Sequence, residues 1–108
     1  MTQAEKLLQA ARKSGAIIAT AESCTGGMVA AAITDIAGSS AIFDRGFVTY
    51  TNGAKIDMLG VKQATLDEFG AVSEQVAQEM ATGAINNANA TIAVAITGIA
   101  GPGGSDHK

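Results

Sequence analysis

The sequence is poor in several residue types, and each shortage excludes a class of site. Its 108 residues include no tryptophan, one histidine and one cysteine. Cys24 alone cannot form an internal disulfide, and with one histidine it makes no cluster of metal ligands. His107 is the only candidate base for a serine–histidine–aspartate triad, which makes that triad unpromising. A serine enzyme of this composition would need lysine as its base.

Charge and hydropathy exclude two kinds of partner. The net charge is −3, whereas a broad nucleic-acid surface normally needs a basic face. No apolar run approaches the ~20 residues of a membrane span. A lone thiol and the lack of a signal peptide favour a reducing compartment. We therefore predict a cytoplasmic protein that binds neither nucleic acid nor a membrane.

The apolar residues, 47% of the chain, are enough for the core of one domain. Continuous apolar runs at 16–20 and 91–97 predict buried strands, and the aromatic and β-branched run at 41–50 predicts a third. Helical patterns between them, with Thr2 and Ser73 as capping residues, predict an α/β layered fold. The short helices expected after 41–50 allow an antiparallel strand, so we expect a mixed sheet.

Three segments that follow predicted strands carry unusual chemistry: AESCTGG (21–27), YTNGAK (50–55) and GIAGPGG (98–104). Ligands of α/β folds gather beyond the carboxyl ends of strands. If the three strand ends point the same way, these segments form one site. The chain ends in a glycine-rich connector after a strand, so we expect the natural domain to continue.

Ser23 in the first segment has two interpretations. A nucleophilic serine needs a base and an oxyanion site, which backbone amides such as those of Thr25 and Gly26 could supply. Gly26 and Gly27 leave this backbone open to a ligand, which could instead be a phosphate. The more ordinary role of such a serine is to cap the following helix. Cys24 is better explained as a structural thiol.

Lys55 and Tyr50 in the second segment are not diagnostic alone. A lysine near the start of a short helix is usually solvated, and a catalytic lysine must be partly desolvated so that its pKa falls. Tyr50 could orient a hydroxyl, relay a proton or stack on a ring, or it could be an ordinary strand residue.

The third segment is dense in glycine. Close approach of its backbone to a phosphate or carboxylate is one interpretation, and a flexible connector is the other. It matches neither the P-loop nor the dinucleotide fingerprint. The residues concerned are Thr97, Gly98, Gly101, Gly103 and Gly104.

Together, AESCTGG, GSSAIFDRGFVTYTNGAK, GAVSEQVAQEMATGA and ITGIAGPGG resemble the CinA C-terminal domain family, in the family's order and over nearly the whole chain. The resemblance implies a three-layer α/β/α domain that hydrolyses nicotinamide mononucleotide to nicotinic acid mononucleotide and ammonia, without a cofactor. Family domains continue with a further strand and helix, so residues 1–108 are expected to be one domain that lacks them.

The resemblance also implies roles for individual residues. Ser23 matches the nucleophile, Lys55 the base and Tyr50 an active-site tyrosine. The GIAGPGG segment (98–104), called the glycine loop below, matches a substrate loop of the family, on the nucleotide side. The alanine-rich helices could pack between chains as easily as within one, and we expect a homo-oligomer. A nucleotide-binding regulatory or assembly domain without catalysis is the alternative function, and a purely structural oligomerisation unit is a third.

Overall fold

The computed structural model describes residues 1–98, in which helices alternate with strands. A single 3₁₀ turn, Ser39–Ala41, precedes the second strand. The helices and strands, in chain order, are α1 (Gln3–Ser14), β1 (Ile18–Glu22), α2 (Met28–Thr34), β2 (Phe43–Val48), α3 (Asn52–Leu59), α4 (Gln63–Phe69), α5 (Glu74–Asn86) and β3 (Ile92–Ile96).

The strands form one sheet in the order β2-β1-β3, and β1 is parallel to both neighbours. The expectation of a mixed sheet is therefore wrong for the described strands. The reason lies in the connections: each pair of successive strands is joined through one or more helices, which return the chain to the starting edge and so make parallel pairing possible. Strand β1 is buried along its whole length, as expected. Strand β3 lies at an edge of the described sheet and leaves Ile92 and Val94 exposed, so it is less buried than its apolar sequence predicted.

Apolar clusters cover both faces of the sheet, which confirms the α/β/α layering. Ala11 of α1 and Ile33 of α2 pack with Ile18 of β1 on one face. Ala21 of β1 packs on the other face, where α3, α4 and α5 supply the side chains. Among residues 1–98, no helix is both long enough and apolar enough to cross a membrane.

The helix ends agree with the predicted caps. Thr2 and Glu5 form a reciprocal capping box at the start of α1. The hydroxyl of Ser73 accepts a hydrogen bond from the N–H of Val76 at the start of α5. Such caps satisfy amides that have no partner within the helix. The side chains predicted to cap α1 and α5 therefore do so in the structure.

Helix α5 passes unusually close to the end of α3 at Gly83. A Cβ atom built on Gly83 would overlap the backbone carbonyl of Leu59, the last residue of α3. Backbone cannot rotate out of the way as a flexible side chain can, so a larger residue must push the two helices apart. The packing of α3 against α5 therefore requires glycine at position 83.

We expect Gly83→Ala to destabilise the protein by about 1–3 kcal/mol, as overpacking of a close helix contact does. Gly53→Ala is the matched control, because Gly53 also lies in a helix and the nearest atom to its added Cβ is the Thr51 hydroxyl, 3.9 Å away. That control should be neutral or stabilising, since alanine favours helix more than glycine does. Urea unfolding measures both, and equal stabilities would contradict the close contact.

Candidate active site

The carboxyl ends of the three strands lie side by side at one edge of the sheet. The N–H of Ser23 donates to the carbonyl of Ile96 at 2.9 Å, which joins the end of β1 to the end of β3. The N–H of Thr49 donates to the carbonyl of Glu22 at 2.8 Å, which joins β2 to β1. The segments that leave β1 and β2, and the start of the one that leaves β3, therefore meet at this edge.

Ser23 is the first residue beyond the central strand, and it is 6% exposed. It does not cap α2: the N-cap position is Gly27, and no side chain of that residue is available to bond the helix. The interpretation of Ser23 as a helix cap is therefore wrong. Its hydroxyl has no hydrogen-bond partner within residues 1–98 and is left for other chemistry.

Glu22 takes the capping role instead. Its carboxylate accepts hydrogen bonds from the Thr25 hydroxyl at 2.6 Å and from the N–H groups of Gly27, Val29 and Ala30 at 3.2, 2.9 and 2.9 Å. Burial by itself raises the pKa of Glu22, but these hydrogen bonds outweigh it and hold the pKa below its ordinary value. A fully buried carboxylate thus stays charged at the positive end of α2.

Most amides of the turn after Ser23 are already used. Those of Gly27, Val29 and Ala30 donate to Glu22, and that of Gly26 donates to the carbonyl of Ser23 at 3.1 Å. In the described part of the chain, the amides of Cys24 and Thr25 have no acceptor. They are the turn's remaining donors for an oxyanion, so the expectation that the Gly26 amide is one of these donors is wrong.

Lys55 lies on α3, which begins after Thr51, whose hydroxyl accepts a hydrogen bond from the Ala54 N–H. The lysine side chain is only 1% exposed. Its Nζ donates to the carbonyl of Tyr50 at 3.4 Å, and no carboxylate within residues 1–98 pairs with it. A buried ammonium without a counter-charge is costly, so its burial lowers the pKa of Lys55 below the ordinary value.

Cys24 links Lys55 to the start of the glycine loop. An electrostatic interaction with Cys24 partly offsets the lowering that burial imposes on the pKa of Lys55, which indicates that the two side chains lie near each other. A Cβ atom on Gly98 would lie 3.2 Å from Cys24 Sγ, which places Gly98 against the same turn. Ser23 and Lys55 are therefore brought to the same edge of the sheet, although no direct hydrogen bond joins them.

The other candidate residues are placed less centrally. The Tyr50 side chain is 68% exposed, and its backbone carbonyl is the group that meets Lys55. The Thr97 hydroxyl donates to the carbonyl of Ala71 at 2.8 Å. Gly101, Gly103 and Gly104 lie outside the described residues.

Two polar residues of this edge were not singled out by the sequence patterns. Glu22 carried a signal, since an acidic residue that ends an apolar strand needs compensation when it is buried. Thr49 carried none, because threonine is common in strands. Its hydroxyl is buried and has no partner in the described chain. No group of three or more metal-ligating side chains occurs within residues 1–98.

We expect Lys55→Met to stabilise the protein at neutral pH, because methionine fills a buried site without a charge to desolvate. At pH values between the lowered pKa of Lys55 in the folded protein and its pKa of about 10.4 in the unfolded chain, the unfolded chain binds more protons than the folded protein does. The stability of the wild type therefore rises with pH across this range. The variant should lack that rise. Denaturant unfolding across this range measures it.

Lys13→Met is the matched control, because Lys13 is exposed on α1. It should keep both the wild-type stability at neutral pH and the rise. If Lys55→Met destabilises the protein and leaves the pH dependence intact, Lys55 is not the desolvated group that the geometry indicates.

Comparisons with known proteins agree on the family. The chain is 60% identical over its whole length to the nicotinamide-nucleotide amidohydrolase PncC of Escherichia coli (strain K12), of which it covers 66%. It is 55% identical to a CinA-like protein of Chlorobium phaeovibrioides, with 94% of this chain and 24% of that protein aligned.

Solved structures give the same result. The competence/damage inducible protein CihA of Agrobacterium tumefaciens superposes with a TM-score of 0.92 at 58% identity, over 97% of this chain and 64% of that one. A CinA superfamily protein of E. coli superposes with a TM-score of 0.93 at 44% identity, over 95% of this chain and 60% of that one. The chain thus spans about two thirds of the E. coli enzyme and of the A. tumefaciens structure. The family model of the CinA C-terminal domain matches residues 1–108, and the chain belongs to that family.

Proposed function

We propose that this chain carries the catalytic serine and lysine of an amidohydrolase that converts nicotinamide mononucleotide to nicotinic acid mononucleotide and ammonia. The observation that carries the proposal is Lys55, a lysine withdrawn from water at the same sheet edge as Ser23. Within residues 1–98, no carboxylate pairs with this lysine and the Ser23 hydroxyl has no hydrogen-bond partner. The name of the E. coli relative supports the substrate class.

The arrangement suits the attack of a serine on an amide. Neutral Lys55 removes the proton of the Ser23 hydroxyl as Oγ bonds to the carboxamide carbon. The amides of Cys24 and Thr25 donate to the oxyanion that forms. Because its pKa is lowered, the Lys55 amine can be neutral before this step and protonated after it, near the pH at which the enzyme works.

The same lysine completes the reaction. Lys55, now protonated, gives its proton to the departing nitrogen, so the carbon–nitrogen bond breaks and ammonia leaves. Water then attacks the acyl-serine with Lys55 again as base, which releases the carboxylate product and restores the Ser23 hydroxyl. Lys55 accepts a proton twice and donates a proton twice in one turnover, so the enzyme returns to its starting state.

Ser23→Ala tests the nucleophile. Because the acyl-enzyme cannot form, release of ammonia from nicotinamide mononucleotide should fall by about 10²-fold or more in kcat. The assay is run on the protein at its full natural length, with a panel of pyridine nucleotides to define the substrate. Lys13→Ala, a remote surface change, should retain wild-type kcat. Turnover of the Ser23 variant above a few per cent of wild type would remove the serine from the mechanism.

The pH dependence of kcat/KM tests the base. Only the neutral amine of Lys55 accepts a proton, so kcat/KM should rise with pH through the lowered pKa of Lys55, below the ordinary lysine value of about 10.4. The Lys13→Ala variant should show the same rising limb. A rate that is flat across this range, or that rises only above the ordinary lysine value, would contradict Lys55 as the base.

A further inference from the structure

The carboxylate of Glu22 connects the chain on both sides of Ser23. Glu22 is the last residue of β1 and directly precedes the serine, whereas its four donors lie after the serine, between Thr25 and Ala30. The Glu22 side chain therefore links the strand before Ser23 to the residues after it, and Ser23 lies within the loop that these hydrogen bonds close. A displacement of Ser23 relative to the sheet requires that some of these bonds break.

The backbone of the turn is shaped to reach this carboxylate. Gly26 and Gly27 have φ values of 58° and 104°, a region that side-chain-bearing residues rarely adopt. These two positions reverse the chain so that the amides at the start of α2 face back toward β1. Their glycines thus serve the internal bond to Glu22, in addition to leaving space at the edge.

The same bonds decide which amides face a substrate. The carboxylate takes three amides at the start of α2, and it supplies a negative charge where the helix is electropositive. An anionic group of a substrate therefore finds these three amides already occupied and is repelled by Glu22. The amides of Cys24 and Thr25, on the Ser23 side of the turn, remain available.

We propose that Glu22 is a positioning residue: its charged carboxylate holds the 23–27 turn so that the Ser23 hydroxyl and the amides of Cys24 and Thr25 are presented together. The inference rests on the proposed function. It adds a residue that touches neither the substrate nor the reacting atoms, and that acts through the turn alone.

Glu79 offers a matched control within the same molecule. Its carboxylate also accepts a backbone N–H, that of Lys62 at 2.8 Å, and a threonine hydroxyl, that of Thr65. It lies at the junction of α4 and α5, not at the strand ends that carry Ser23. Loss of its charge removes the same kind of contact without disturbing the turn.

The experiment compares Glu22→Gln with Glu79→Gln in the protein at its full natural length. Glutamine keeps the shape of the side chain but loses the charge, and its NH₂ group opposes an N–H donor. We expect both variants to lower the melting temperature. Only Glu22→Gln should lower kcat for nicotinamide mononucleotide, by about 10²-fold, the cost of a misplaced reacting group. KM should stay within about threefold in both.

A second readout needs no substrate. Cys24 is half-buried beside Ser23, so its rate of alkylation by iodoacetamide, followed at the Cys24 peptide by mass spectrometry, reports the geometry of the turn. We expect the rate to rise about tenfold in Glu22→Gln, because the turn opens locally. It should be unchanged in Glu79→Gln. Glu22→Asp keeps the charge with a shorter reach, and it should lose less kcat than Glu22→Gln does.

These outcomes separate the two proposals. If the wild type releases no ammonia from any pyridine nucleotide, the proposed function fails, and alkylation of Cys24 alone decides whether Glu22 holds the turn. If the wild type is active and folded Glu22→Gln keeps kcat within about threefold, Glu22 does not position the serine. An unchanged Cys24 rate, or an equal loss of kcat in Glu79→Gln, overturns the proposal too. Should Glu22→Gln fail to fold, Glu22→Asp gives the same test, with wild-type kcat as the overturning result.

Discussion

The site depends on the pairing of one short, fully buried strand with two parallel neighbours. Strand β1 is hydrogen-bonded on both edges and covered on both faces, so its carboxyl end cannot move independently of the sheet. Parallel pairing puts the exits of all three strands at one edge. A serine after the first strand, a lysine after the second and a glycine after the third are thereby assembled from distant parts of the chain, without any of them being close in sequence.

Much of this fold was accessible from local patterns. Continuous apolar runs identified β1 and β3, and an aromatic and β-branched run identified β2. Side chains that bond free helix amides identified the starts of α1 and α5. Strand direction was not accessible, because the hydrophobic pattern of a strand does not record which way it runs. Whether helices return the chain to the starting edge depends on how they pack across the sheet, as α5 does.

The candidate site was predictable to a similar degree. Short segments rich in small polar residues and glycine pointed to Ser23 and Lys55, and the parallel sheet explains why such segments gather. The burial of Lys55 was not visible, since a lysine in a short helix is usually solvated. The bonds of Glu22 were not visible either: they join a strand end to amides up to eight residues later, and amides carry no signature in the sequence.

The close contact at Gly83 involves the helix that carries Lys55. Leu59, whose carbonyl lies against Gly83, is one helical turn after Lys55 on the same helix. Helix α5 can approach α3 closely only because position 83 has no Cβ. The helix that carries Lys55 is thus held against its neighbour at a position that no chemical motif would draw attention to.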